Sequence, residues 1–118
     1  MKDIITVSTV TFNAAWNQKA KNLNRILGYI EAAARKGSNI VVFPEMALTG
    51  YDDQAEVPKA EKMQTKEAEL IPGPSSNAVA ELAKKYGMYI VMGMPERDPA
   101  DPATIYNALA ISKPDGTV

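Results

Sequence analysis

Two glutamates follow short apolar runs at points where a buried strand would end. Glu45 comes after residues 40–43 and Glu96 after residues 89–94, each separated from its run by one proline. A strand that delivers a carboxylate at its C-terminal end is typical of α/β enzyme sites. Proline suits such a strand exit because it has no N–H to donate. Both carboxylates are therefore candidates for acid–base chemistry at one edge of a sheet.

The chain contains no cysteine and no histidine. Without cysteine, disulfides, thiolate metal sites and a cysteine nucleophile are excluded within these residues. Without histidine, the usual general base and the commonest zinc ligand are missing. Glu45 and Glu96 could be compared with the acid and base of a glycosidase, but their spacing does not support that interpretation and no other sugar-site signature occurs.

Size and composition narrow the classes further. The chain has 118 residues, 46% of them hydrophobic and 23% charged, which is ordinary for one globular domain. The net charge is −1 and the basic residues are scattered, so we expect no nucleic-acid or anionic-membrane partner. No apolar stretch approaches the ~20 residues that span a bilayer, and no leader pattern follows Met1. We expect a cytoplasmic location.

The first part of the chain predicts a strand–helix–strand unit. Residues 4–12 are rich in Ile, Val and Thr and predict a strand, and residues 40–43 predict the next one. Between them, residues 17–36 carry an apolar stripe at helical spacing, and Gly37 lies where a glycine would end the helix. Gly28 lies inside this helix, where a small residue would allow close approach to the sheet. Such a unit is expected to be parallel and right-handed.

The rest of the chain predicts a second long helix and two more strands. Residues 52–74 are irregular, although 61–70 could form a short helix. Ser75 or Ser76 can cap the next helix, with Pro74 just outside it. The later signals are a glycine that ends this helix (Gly87), strands at 89–94 and 104–112, and a turn at 114–116.

The segment IVVFPEMALTGY, residues 40–51, resembles the first catalytic motif of the nitrilase (carbon–nitrogen hydrolase) superfamily, which is built around F-P-E and a following G-Y. Further pieces match in order: I-P-G-P-S at 71–75, A-K-K-Y-G at 83–87, G-M-P-E at 93–96, Y-N at 106–107 and P-D-G at 114–116. The resemblance covers nearly the whole chain. It implies an α/β fold that is the N-terminal half of a four-layer α-β-β-α sandwich, with residues 1–118 as a partial domain.

The resemblance also implies a mechanism. Glu45 would be the general base that takes a proton from a cysteine thiol, and the thiolate would attack an amide or nitrile carbon. A lysine would stabilise the oxyanion. Partial burial would raise the pKa of such a glutamate toward neutral pH. The lysine belongs to a Y-R-K-like motif after the P-D-G turn and the cysteine lies further on, whereas this chain stops at Val118. Lys113 precedes the turn and is not assigned.

Three residues are candidates for supporting roles. Glu96 is expected to hold the loop around the base or the lysine, although it could equally be a surface acid paired with Arg97 or another neighbour. Tyr51 either lines the substrate pocket or packs as a loop tyrosine. Asn107 is expected to tie backbone groups near Glu45 through its amide. The six methionines and Trp16 are most simply core or interface residues.

Two functions remain open. The first is hydrolysis of a small-molecule amide or nitrile, with no cofactor or metal and with short-chain amides favoured over nitriles. The second is a non-catalytic, truncated module that acts by self-association or binding. A reading frame beyond Val118 with a Y-R-K motif and a later cysteine would favour the first. The family fold implies a sheet face that needs a second sheet, so we expect a homo-oligomer, and aggregation, dimerisation or poor folding of the isolated chain.

Overall fold

The structure, a computed structural model, describes residues 3–51 and 54–118. Its centre is a four-stranded sheet in which the strands lie side by side in chain order. The first three strands are parallel and the fourth is antiparallel to the third. The strands are β1 (Val7–Thr9), β2 (Ile40–Val42), β3 (Tyr89–Arg97) and β4 (Ile105–Ser112).

Three α-helices connect these strands. They are α1 (Lys19–Arg35), α2 (Met63–Glu67) and α3 (Pro74–Tyr86), and a short 3₁₀ turn (Lys59–Glu61) precedes α2. The predicted order of strands and helices is therefore confirmed, as is the parallel pairing of the first two strands.

Both long helices pack on the same face of the sheet, as two right-handed crossovers between neighbouring strands require. The core on that face is apolar and includes Ile26 and Ile30 of α1, Val79 and Ala83 of α3, and Val41, Ile90, Met92 and Ala110 of the sheet. The opposite face alternates with it along each strand. Most of its side chains are partly or largely exposed, including Val7, Tyr89, Leu109 and Ile111. We call this second surface the open face.

Two strands differ in length from the prediction by more than one residue. β1 is shorter because β2 offers only three residues to pair with, although Val10 N still donates to Val42 O at 2.9 Å. β3 is longer and continues through Pro95 and Glu96, so the prediction that it ends there is wrong. The reason is that β4 keeps pairing with it as far as Arg97.

Pro95 is tolerated inside β3 because the edge of the strand on which its N–H is missing needs no hydrogen-bond donor. The Pro95 carbonyl points toward Glu69, whose N–H donates to it at 3.3 Å. In a strand the N–H and C=O of one residue point the same way, so the missing N–H also faces this side. Because β2 has already ended, no regular strand needs a donor from Pro95 there.

The helix ends follow the sequence with one correction. Gly37 and Gly87 follow α1 and α3 with φ angles of 78° and 65°, as a terminating glycine should. The prediction that a serine caps α3 with Pro74 outside is wrong. Gly73 is the N-cap residue and Pro74 the first helical one, where its fixed φ suits the helix. The Gly73 N–H donates to Ser76 Oγ at 2.9 Å.

Other expectations for single residues have mixed outcomes. Nothing lies within 4 Å of a Cβ built on Gly28, so this glycine does not serve close helix–sheet contact. Trp16 is largely exposed, while five of the six methionines are buried; Met1 lies outside the described residues. In the parts that the structure describes, no helix has the length and apolarity to cross a membrane, and no group of three or more acidic side chains could hold a metal ion.

Candidate active site

Glu45 lies just past the end of β2, in a compact turn that crosses over β3. Its neighbour Met46 has a left-handed backbone with φ of 51°, and Gly50 closes the turn with φ of 84°. The Gly50 N–H donates to Met46 O at 2.9 Å. Since β-branched or bulky residues rarely adopt positive φ, the turn must be held by its surroundings.

Gly93 of β3 lets this turn approach the sheet. A Cβ at Gly93 would lie 2.5 Å from Pro44 O, 2.7 Å from Met46 N and 2.8 Å from the Glu45 Cα, all of them backbone atoms. The Leu48 N–H also donates to Gly93 O at 3.3 Å. The absence of a side chain at Gly93 thus allows the Glu45 backbone to lie directly against β3.

Buried amides hold the rest of the turn. Asn22 of α1 is fully buried, and its Nδ2 donates to Leu48 O at 3.0 Å and to Ala15 O at 2.7 Å. Gln64 of α2 donates from Nε2 to Gly50 O at 2.6 Å. Because each amide is satisfied in a water-poor setting, these contacts fix the turn more firmly than surface hydrogen bonds would.

The Glu45 carboxylate accepts one hydrogen bond on each oxygen. Asn107 Nδ2 of β4 donates to Oε1, and the Tyr51 hydroxyl donates to Oε2 at 3.2 Å. The structure therefore brings together three of the four predicted site residues. Asn107 contacts the carboxylate itself, not the backbone groups that we predicted for it. In the part of the chain that the structure describes, the Glu45 side chain is exposed. The prediction of partial burial is therefore wrong for these residues.

The Tyr51 hydroxyl has a raised pKa. Desolvation is the largest cause, followed by the hydrogen bond to Glu45 and the repulsion between a phenolate and this carboxylate. A raised pKa keeps the hydroxyl protonated through neutral pH. Tyr51 is therefore a hydrogen-bond donor to Glu45 under ordinary conditions.

Two clefts lie beside the pair formed by Glu45 and Asn107. The smaller, of about 210 Å³, is lined on its Glu45 side by Pro44, Ala47, Gly50 and Tyr51, and on the other by Phe12, Asn13 and Ala14. The larger, of about 340 Å³, contains Asn107, Tyr106 and Ile105 of β4 together with Pro95, Gln64, Thr65, Lys59 and Lys62. Met46 lines both clefts. We call them the Tyr51 cleft and the Asn107 cleft.

Glu96 is placed differently from the other predicted residues. It is paired with Tyr106, whereas Pro95 is paired with Asn107. Because successive side chains of a strand alternate between faces, Glu96 points away from the face on which Asn107 reaches Glu45. The pairing with Arg97 considered from the sequence is also absent, since the Arg97 guanidinium donates to the carbonyl oxygens of Thr65, Ala68 and Pro102.

A buried glutamate that the sequence analysis missed holds the segment beside the site. Glu69 accepts hydrogen bonds from Ser75 N at 2.8 Å and Ser75 Oγ at 2.6 Å, and its carboxylate lies 3.2 Å from Lys19 Nζ. The Arg97 N–H donates to its carbonyl at 2.8 Å. The residue thus connects the start of α1, the start of α3 and the end of β3.

The residues that the sequence analysis missed differ in how readily the sequence could have revealed them. A glycine inside an apolar strand run, as at Gly93, is a recognised sign of close backbone approach and could have been found. Asn22, Gln64 and Glu69 lie in polar surroundings of the sequence, where nothing separates a buried amide or carboxylate from an exposed one.

Comparison with known proteins gives a consistent result. The family model for carbon-nitrogen hydrolase matches residues 6–118. Omega-amidase NIT2 of Xenopus tropicalis is 37% identical over 101 residues, which cover 85% of this chain and 33% of that protein. A nitrilase of Paraburkholderia phymatum is 30% identical over 119 residues, which cover 96% of this chain and 34% of that protein. The chain thus spans about a third of the length of these relatives.

Solved structures share the fold. The crystal structure of Saccharomyces cerevisiae Nit3, described as a member of branch 10 of the nitrilase superfamily, has a TM-score of 0.75 and 27% identity, covering 97% of this chain and 41% of that one. An N-terminal amidase structure has a TM-score of 0.76 at 22% identity and shows the fold alone, over 96% of this chain and 26% of that one. The predicted α/β nitrilase-like fold is confirmed, and with the family-model match over nearly its whole length the chain belongs to the carbon-nitrogen hydrolase family.

Proposed function

We propose that Glu45 is the general base of an enzyme that hydrolyses small-molecule amides, and that residues 1–118 form the part of its catalytic domain that carries this base. The observation that supports the proposal most strongly is the Glu45 carboxylate held between Tyr51 and Asn107, with Glu45 and Tyr51 lining one cleft and Asn107 lining the other. The omega-amidase relatives favour an amide over a nitrile as the substrate.

The proposed reaction needs a cysteine, which these residues lack, and the lysine of a Y-R-K-like motif, which they do not include. Glu45 would take the proton of a cysteine thiol, and the thiolate would add to the amide carbon while a lysine stabilises the oxyanion. Collapse of the tetrahedral species would break the C–N bond, and the departing ammonia would take the proton back from Glu45. Water, deprotonated by Glu45, would then cleave the thioester, releasing the acid and the thiol.

Tyr51 and Asn107 would act as positioning residues for this base. Each carboxylate oxygen has two lone-pair directions, and each accepts one hydrogen bond from the protein. One direction on each oxygen therefore remains for the proton in transfer. Two fixed donors hold the carboxylate in one orientation, which matters because a general base must lie within hydrogen-bond reach of its proton. We propose that Glu96 supports the end of β3 and does not touch substrate.

One observation favours the second candidate function, a non-catalytic module that self-associates. The open face carries apolar side chains that soluble monomers rarely leave exposed, among them Leu109 and Ile111. Association of two chains through this face would give a homo-oligomer without any catalytic group beyond Glu45.

An amidase assay on the complete gene product separates the two functions. Ammonia release from short-chain primary amides, with an acyl-enzyme that hydroxylamine intercepts as a hydroxamate, is the expected result. Turnover of neither amides nor nitriles by a folded, self-associated protein would favour the second function and contradict the first.

A further inference from the structure

We infer that Met46 is a specificity-determining residue whose side chain limits the size of the acyl group that the site accepts. The inference rests on the proposed function, because it concerns the part of an amide substrate that lies beside Glu45.

Met46 occupies a position that no other described residue shares. It lines both the Tyr51 cleft, of about 210 Å³, and the Asn107 cleft, of about 340 Å³. Glu45 lines only the first and Asn107 only the second, and the hydrogen bond between these two side chains runs beside the boundary. Met46 is thus part of the wall between the clefts.

Backbone contacts fix the position of Met46. Met46 has φ of 51°, its N–H lies against Gly93, and its carbonyl accepts hydrogen bonds from Gly50 N at 2.9 Å and Thr49 N at 3.3 Å. The residue is only 9% exposed. A turn held on both sides cannot carry the side chain away at low cost, so a substrate has to fit around it.

The shape of a primary amide explains why Met46 would limit substrate size. Ammonia, the leaving group of a primary amide, is small, so nearly all of the substrate's bulk is its acyl chain. With the carbonyl carbon beside Glu45, that chain would extend into one of the two clefts. Met46 lines whichever cleft is used, and truncating its side chain would enlarge either one and join the two.

Selectivity across a series of straight-chain primary amides tests the inference. In the complete gene product, Met46→Ala is expected to raise the ratio of kcat/KM for a long amide to that for a short one by about tenfold or more, since even one methylene in an apolar pocket changes selectivity by about 10-fold or more. General damage to the fold would lower both rates and leave the ratio unchanged. Met94→Leu is the matched control, because Met94 is fully buried and lines neither cleft.

The outcomes are distinguishable. If the wild-type protein hydrolyses no amide, the proposed function fails. If it does and Met46→Ala is folded with an unchanged ratio, the inference is overturned while the proposed function stands. If Met46→Ala does not fold, Met46→Leu carries the test, because it nearly conserves volume but shortens the reach of the side chain. A smaller rise in the same ratio is then expected, and an unchanged ratio overturns the inference.

Discussion

At the scale of single residues, the contact between Tyr51 and Glu45 is the feature that most needs measurement. The hydroxyl donates to Glu45 Oε2 while Asn107 donates to Oε1, so the carboxylate is oriented from both sides. A fixed orientation matters because a general base must lie within hydrogen-bond reach of the proton that it takes.

Titration of the tyrosines by ultraviolet absorbance tests this contact in the 118-residue chain. Tyr51 is expected to ionise above the ordinary range, so its donor form is present below the usual pKa and lost only as the pH rises through the raised value. The difference between wild type and Tyr51→Phe isolates its signal. Glu45→Gln should lower the pKa of Tyr51, while the contribution of desolvation stays. An unchanged titration of Tyr51 in Glu45→Gln would contradict the contact.

The sequence could locate the site residues but not their directions. Glu45 was predicted from its place after a strand and from a motif. The contacts of Asn107 and Glu96 could not be predicted, because they depend on how β3 and β4 are paired. A shift of one residue in that register would place Asn107 on the same face as Glu96. The exposure of Glu45 likewise depends on what surrounds it in space.

At the scale of secondary-structure elements, the turn after β2 and the strand β3 act as one unit. Gly93 provides the space for Pro44 and Glu45, and Leu48 bonds to its carbonyl. The position of Glu45, the proposed general base, is therefore set by a residue that is distant in sequence and has no side chain.

Two glycine substitutions test this arrangement. Gly93→Ala would place a Cβ within 2.8 Å of three backbone atoms, so the turn must shift. We expect lower stability and a loss of about 10²-fold in kcat, as for a ~1 Å misplacement of a catalytic group. Gly28→Ala is the matched control. Its Cβ meets nothing within 4 Å inside α1, and it should stabilise the chain by about 0.5–1 kcal/mol. Thermal unfolding and kinetics check both, and an unaffected Gly93→Ala protein would contradict the account.

Most elements could be predicted because hydrophobic periodicity and terminating glycines mark them. The exceptions arise from tertiary pairing. The strand run at 4–12 pairs regularly over three residues only, because β2 is short. Pro95 stays inside β3 because β4 continues beside it. Neither partner is visible in the local sequence.

At the scale of the whole molecule, the two faces of the sheet differ in how far they are covered. One is covered by α1 and α3, and the other, the open face, exposes Leu109 by 59% and Ile111 by 48%. The resemblance to the family predicted an uncovered sheet face, but which side chains lie on it follows from the strand order and register.

Sedimentation of the isolated 118-residue chain measures the consequence. We expect self-association, because burying the open face removes apolar surface from water. Leu109→Asp should weaken this association by placing a charge on the face. Leu70→Asp is the control, since Leu70 is exposed to a similar degree but lies outside the sheet. A compact monomer at high concentration, or equal effects of both substitutions, would contradict this expectation.

The most direct test of the central proposal is the amide turnover of Glu45→Gln in the complete gene product, with Glu96→Gln as its control. Glutamine keeps the shape of Glu45 but cannot accept a proton. We predict that Glu45→Gln folds normally and loses about 10²–10⁴-fold in kcat, the usual contribution of a general base, while Glu96→Gln keeps most of its activity. Wild-type turnover by a folded Glu45→Gln protein would show that Glu45 is not the base.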